Sequence, residues 1–395
     1  MYKRYLYLAA GTLILLFVGL IYAWSVFVLP LEKLHGWDRA QTTHIFTFSM
    51  SVFCVGGILG GYLIRKKSAA FIIRCSAVLM CAGFWVCANT SSLLLMYLAY
   101  GVVCSLGVGL VYNAVLSTVV KWFPDKSALC SGILLMGFGA GGFLLGQVAN
   151  LVIVSFGVNN AFLCFAVICI VVLTLASFLI FSPKENESAA GKKAAQPKGD
   201  IATKDMIRTK TFWFAFLWGI FSSAAALAVI GQAASMAQSA LFMTSAAAAF
   251  VVGLMNVSNG VGRVFMGLLY PRLPKKMLMI CISGLFSVAA LFLAAAVSLG
   301  LSGLVYPGLL ILGYAYGSVP AFGVAFVRES FGTKFYSVNM SVFNMHLIFS
   351  ALIGSSVVGQ IFSMTGEYPH VLLLTFGLGI IAVFFAGKMK TGSTK

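Results

Sequence analysis

The sequence predicts an all-α integral membrane protein with twelve transmembrane helices in two six-helix halves. Three observations predict it. Of the 395 residues, 61% are hydrophobic and 9% charged, with a mean hydropathy of +1.02. The charge-poor stretches divide into twelve lengths that match a bilayer, and one long polar segment parts them six from six. A water-soluble domain carries about a quarter charged residues, so lipid is the solvent this composition suits.

A crossing helix needs about 20 apolar residues. Residues 5–31 supply span 1 and residues 40–64 supply span 2. The stretch 75–120 is long enough for two and divides at 89–92 (Asn-Thr-Ser-Ser); 127–183 divides at 157–160 (Gly-Val-Asn-Asn). In the second half, 211–262 divides near 239–244 and 277–327 near 298–303, while 335–366 and 371–387 give one span each. None of these runs shows the period-2 alternation of a barrel strand. The boundaries are 1–182 for the N-terminal half, 183–210 for a linker rich in Lys, Ala and Glu, and 211–395 for the C-terminal half. The linker reads as a flexible cytoplasmic segment.

Lys and Arg set the orientation. Among 26 of them, Lys33 and Arg39 fall on one side, Arg263 falls inside a span, and the rest fall on the side of the two termini. Both termini are therefore expected on the cytoplasmic face of the cell's inner (plasma) membrane. The net charge of +17 reflects that bias toward anionic lipid and implies no nucleic-acid partner. The nine cysteines lie in or at the ends of apolar spans without a CxxC spacing. They read as packing residues, so neither metal nor cofactor is expected. Span 1 is too long for a signal-peptide core.

The halves echo each other. Residues 60–65 (G-G-Y-L-I-R) and 267–272 (G-L-L-Y-P-R) follow the second span of each half, offset by 207. Phe123-Pro-Asp-Lys126 and Phe331-Gly-Thr-Lys334 follow the fourth, offset by 208. A parallel repeat of this kind suits alternating access around a site between the halves.

The G-x(4)-R loops resemble the signature loops of the major facilitator superfamily. More narrowly, Ile21-Tyr-Ala-Trp-Ser-Val-Phe-Val-Leu-Pro30, Val111-Tyr112, Lys121-Trp-Phe-Pro-Asp-Lys126, Gly137-Phe-Gly139, Gly313-Tyr-Ala-Tyr-Gly317 and Asn339 resemble the oxalate:formate antiporter family, which is akin to the monocarboxylate transporters. The resemblance implies the major facilitator fold and gating roles for the loop residues Arg65, Arg272, Asp125 and Lys126. The acid that usually precedes the loop arginine is replaced by Ile64 and Pro271.

Arg263 is the sharpest candidate for chemistry. A guanidinium stays charged at any ordinary pH, and burying it costs about 3 kcal/mol even on lenient scales. No Asp or Glu falls within a predicted span to neutralise it. Such a cation invites a carboxylate, which it grips through two parallel hydrogen bonds. The resemblance also places a substrate-binding basic residue here. The rival reading lets its long stem snorkel to lipid phosphate.

His346 is the second candidate, as an anion or pH-sensing group or as a packing histidine. Its lack of fixed charge favours a monoanion over a dianion. Asn259 lies one turn before Arg263 on the same face; it cannot titrate, which weakens proton symport there. Anion exchange or proton coupling elsewhere stays open. Tyr22, Tyr112, Tyr314 and Tyr316 could offer hydroxyls to a carboxylate, with Tyr22 and Tyr314 foremost because their spans carry the segments that resemble the family.

These residues predict a secondary transporter of small carboxylates such as lactate, formate or pyruvate. The alternatives are an oxalate/formate-type dicarboxylate antiporter and an exporter of drugs or neutral solutes. Four scattered histidines without acids in the spans do not supply the clustered groups an enzyme needs.

Overall fold

A computed structural model describes residues 2–64, 66–123, 127–181, 200–332 and 334–389. The described residues form helices and no strands. In lipid the backbone must satisfy its own hydrogen bonds, and a helix does so within one segment. Twelve helices are long and apolar enough to cross a membrane. Spans 1–6 are Arg4–His35, Arg39–Leu63, Ala69–Ala88, Leu93–Trp122, Cys130–Phe156 and Val158–Ser177. Spans 7–12 are Lys210–Ile230, Ser245–Leu269, Lys275–Ser298, Ser302–Phe331, Val338–Thr365 and Tyr368–Lys388.

Polar residues mark where spans begin. The Asp38 carboxylate accepts from the Gln41 N–H at 2.8 Å while Gln41 Oε1 accepts from the Asp38 N–H at 3.0 Å, a capping box that starts span 2. Ser68, Ser92, Thr209 and Thr244 cap spans 3, 4, 7 and 8 in the same sense. Each such cap contributes about 1 kcal/mol. Trp85, Leu151 and Leu373 turn outward on the lipid side, whereas Trp24, Trp218 and Phe27 fill the interior.

The same packing recurs in each set of six. Spans 2 and 4, 3 and 6, and 1 and 5 pair in the first; spans 8 and 10, 9 and 12, and 7 and 11 pair in the second. Spans 5 and 8, and spans 2 and 11, pack across the divide. Spans 1 and 5 approach so closely at Gly19 and Gly141 that a Cβ on either would enter the other helix's backbone. Small residues permit such contacts, and van der Waals packing drives association in lipid.

Two expectations need correction. Acids do occur within spans. Span 1 runs on to include Glu32, and span 10 includes Glu329. Each is paired, with Arg39 at 2.6 Å and with Lys275 at 2.8 Å. For the largely buried Glu32 the pairing is what lets the carboxylate enter the helix, whereas Glu329 lies exposed at the end of span 10. The linker is not flexible throughout. Residues 200–209 fold against the C-terminal half: the Ile201 N–H donates to the Phe331 carbonyl at 3.0 Å, and the buried Asn339 amide donates to the Ile201 carbonyl at 3.0 Å.

Candidate functional site

A cavity of about 50 Å³ lies where the halves meet. Spans 1, 2, 4 and 5 contribute Tyr22, Phe53, Tyr112 and Phe138; spans 7, 8, 10 and 11 contribute Ser223, Arg263, Tyr316, Asn344 and His346. Backbone irregularities bring two of these residues into place. Tyr22 sits in a 3₁₀ stretch, Gly19–Ala23, that interrupts span 1. His346 follows a turn at Met345 that interrupts span 11. Non-helical backbone at membrane depth is tolerated only where protein or a cavity surrounds it.

Arg263 is 3% exposed and reaches into the interior, which rules out the snorkelling alternative. Its Nε donates to Asn259 Oδ1 at 3.0 Å, and one terminal nitrogen, Nη1, donates to the Leu135 carbonyl of the opposite half at 2.9 Å. The guanidinium carbon stands 5.8 Å from the Phe138 ring centroid, within range of a cation–π attraction. Hydrogen bonds to a charged group contribute about 1.5–3 kcal/mol each, so these two offset the roughly 3 kcal/mol burial cost. They solvate the charge without cancelling it. Among the described residues, no acid lines the cavity, and Glu329 is engaged elsewhere with Lys275. The remaining terminal nitrogen, Nη2, has no hydrogen bond among the described residues.

The aromatic wall crosses the divide. Tyr22 packs edge-on against Phe138 at 5.2 Å and against Tyr316 of the opposite half at 6.1 Å; Tyr112 packs against Phe138 at 5.0 Å. His346 is buried, its Nδ1 2.8 Å from the Phe343 carbonyl and its Nε2 3.3 Å from Ser223 Oγ.

The structure therefore brings Arg263, His346, Tyr22 and Tyr112 together, and corrects two further expectations. Tyr314 does not line the cavity; it is half-buried beside Phe265, 6.3 Å between centroids. Tyr316 takes the place expected for it, because residues two apart on a helix point some 200° apart. Asn259 orients Arg263 and does not itself line the cavity. Arg272 is exposed in the turn after span 8, and Arg65, Asp125 and Lys126 lie outside the described residues. Phe138, Ser223 and Asn344 were not singled out, since hydroxyls, amides and rings are common helix-packing groups in membranes. Among the described residues, no cluster of three metal-ligating side chains occurs.

At the end of the bundle away from the termini the halves are tied. Arg39 grips both Glu32 oxygens, at 2.6 and 3.0 Å, and also donates to the Tyr368 hydroxyl of span 12. Its guanidinium carbon lies 4.7 Å from the Phe362 ring of span 11. Thr42 adds a 2.9 Å bond to Glu32.

Fold and site define a multi-pass membrane carrier. The family model for the Major Facilitator Superfamily matches residues 9–355, and the chain belongs to that superfamily. It is similar to the oxalate:formate antiporter of Oxalobacter formigenes, 25% identical over 75% of this chain and 71% of that protein. A shorter match, 30% identical over 35% of this chain and 29% of the relative, is to monocarboxylate transporter 12 of Mus musculus. Among solved structures, the partially occluded inward-open xylose transporter XylE of E. coli shares the fold at TM-score 0.76 and 15% identity, covering 100% of both chains.

Proposed function

We propose that this protein is a secondary transporter of small monocarboxylate anions, and that Arg263 anchors the carboxylate. One observation carries the reading: a permanent cation faces an inter-half cavity whose described wall holds no acid. A carboxylate that engages Nη2 supplies the missing charge in a geometry guanidinium matches. The tyrosines Tyr22, Tyr112 and Tyr316 add hydroxyls from both halves. Closure of the halves around the anion then gives alternating access.

Size narrows the cargo. At roughly 10–15 Å³ per water-sized group, about 50 Å³ holds some three to five such groups in this state, which suits a small anion better than a sugar or an amphipathic drug. A second fixed cation for a dicarboxylate is missing from the described wall. Likeness to an oxalate:formate antiporter keeps the dianion as the competing reading. Asn259 cannot titrate, which favours anion exchange over proton symport at this site. The Lys and Arg distribution supports cytoplasmic termini in a plasma membrane.

The experiment is counterflow into proteoliposomes, with labelled formate, lactate and oxalate tested beside labelled xylose and a lipophilic cation. Counterflow of the monocarboxylates alone is the expected result. Counterflow of only xylose or the cation would replace this reading, and oxalate outrunning formate and lactate would favour the dianion.

A further inference from the structure

We infer that His346 and Ser223 form an acceptor-only end of the cavity, which selects 2-hydroxy monocarboxylates over 2-oxo acids of the same size. This rests on the carboxylate reading above and adds which carboxylates are preferred.

Local geometry fixes the imidazole. Gly219 of span 7 leaves room for the ring, since a Cβ there would come within 3.0 Å of Cδ2. The Phe343 carbonyl can only accept, so Nδ1, 2.8 Å away, carries a proton. The opposite nitrogen, Nε2, is 3.3 Å from Ser223 Oγ. Protonating Nε2 as well would place a second buried cation in the cavity that Arg263 lines, with no acid in the described wall, and a buried charge without a partner is strongly disfavoured. The neutral ring therefore presents a lone pair at Nε2. Ser223 turns its proton toward that lone pair, and its oxygen then offers lone pairs in turn.

The other polar groups do not discriminate. Tyrosine hydroxyls and the Asn344 amide both donate and accept, and Arg263 only donates. Among the described side chains of the wall, His346 Nε2 alone is restricted to accepting. With the carboxylate on Arg263, a 2-hydroxyl has a proton to give to this end. A 2-oxo oxygen brings lone pairs against the Ser223 oxygen unless Ser223 gives up its bond to Nε2, and a methylene leaves that oxygen without a donor. Sites that expect a donor reject analogues that lack one, and one hydrogen bond corresponds to roughly a tenfold preference.

The test uses three three-carbon acids that differ only at C2: lactate, pyruvate and propionate. Each competes against labelled formate counterflow in proteoliposomes, with wild type, Ser223→Ala and His346→Gln read relative to each variant's own formate signal. Formate has no C2 group, so its counterflow tests the carboxylate reading separately. Lactate is expected to compete roughly tenfold better than pyruvate or propionate in wild type. That ratio persists in Ser223→Ala, where Nε2 is uncovered, and approaches one in His346→Gln, whose amide donates as well as accepts. Formate counterflow with equal competition by all three acids in wild type overturns the inference and leaves the carboxylate reading standing. A His346→Gln variant that keeps the wild-type ratio overturns it too. Absence of any carboxylate counterflow removes both.

Discussion

Arg39 of span 2 donates to the hydroxyl of Tyr368 of span 12, and so ties the two halves together at the end away from the termini. The guanidinium is itself held by both oxygens of Glu32, so the tie has a charged, buried base within one half and neutral contacts in the other: the Tyr368 hydroxyl, the Phe362 ring and, beside them, Ser363 Oγ, which accepts from the Ala40 N–H at 3.1 Å. That division suits a gate, because separation of the halves breaks neutral contacts and leaves the ion pair intact.

Loss of the Tyr368 contact should therefore loosen the gate without unfolding the half. One hydrogen bond contributes about 1 kcal/mol, enough for a several-fold shift. In Tyr368→Phe, a cysteine placed at the buried Ser235, one turn before the Ser239 that touches Tyr368, should react several-fold faster with a membrane-impermeant thiol reagent in a cysteine-free background. Arg39→Gln strands Glu32 and should cost stability as well, by about 3–5 kcal/mol as for other broken buried pairs, read as a lowered melting temperature in detergent. Unchanged labelling in Tyr368→Phe would remove the gating role.

Asn259 touches the Arg263 Nε at 3.0 Å, so its replacement by a carboxylate sets an internal anion against the cargo. Asn259→Asp should lower formate counterflow at least tenfold. Asn259→Ala leaves the guanidinium charged but less oriented and should lower it less. The reverse order in the transport assay would contradict an uncompensated Arg263.

The two tyrosines of span 10 separate cavity from periphery. Tyr316→Phe removes a hydroxyl from a residue that lines the cavity and should weaken carboxylate competition roughly five- to tenfold, the worth of one hydrogen bond. Tyr314→Phe should leave competition unchanged. Equal effects would show that neither hydroxyl meets the substrate.

Close packing of spans 1 and 5 predicts a stability contrast. Gly141→Leu forces side-chain atoms into the backbone of span 1, and overpacking of this kind costs about 1–3 kcal/mol. At Gly377 an added Cβ meets nothing within 4 Å, so Gly377→Leu starts into open space. Thermal unfolding in detergent should show a drop for the first and none for the second.

Much of this was legible in the sequence because lipid leaves the chain few options. Every span must be apolar, long and helical, so the breaks at 89–92 and 157–160 fall where helices end. Arg263 stood out because a charge in an apolar run is costly. Glu32 was misplaced for a related reason. Counting charge-free residues ends a span at its first charge, whereas Arg39, seven residues on, pairs with Glu32 and lets the helix continue. Tyr314 and Tyr316 could not be told apart, since the sequence sets their angular separation but not the rotation of span 10 in the bundle. The Leu135 carbonyl was invisible, being a backbone group brought to Arg263 only by the packing of span 5 on span 8.

The central claim is that the charge of Arg263 binds the cargo. The most direct measurement is labelled-formate counterflow in proteoliposomes for wild type, Arg263→Lys and Arg263→Gln, at matched reconstitution. Partial counterflow in Arg263→Lys, which keeps the charge but loses the fork, and none in Arg263→Gln is the predicted result. Wild-type counterflow in Arg263→Gln would contradict the account.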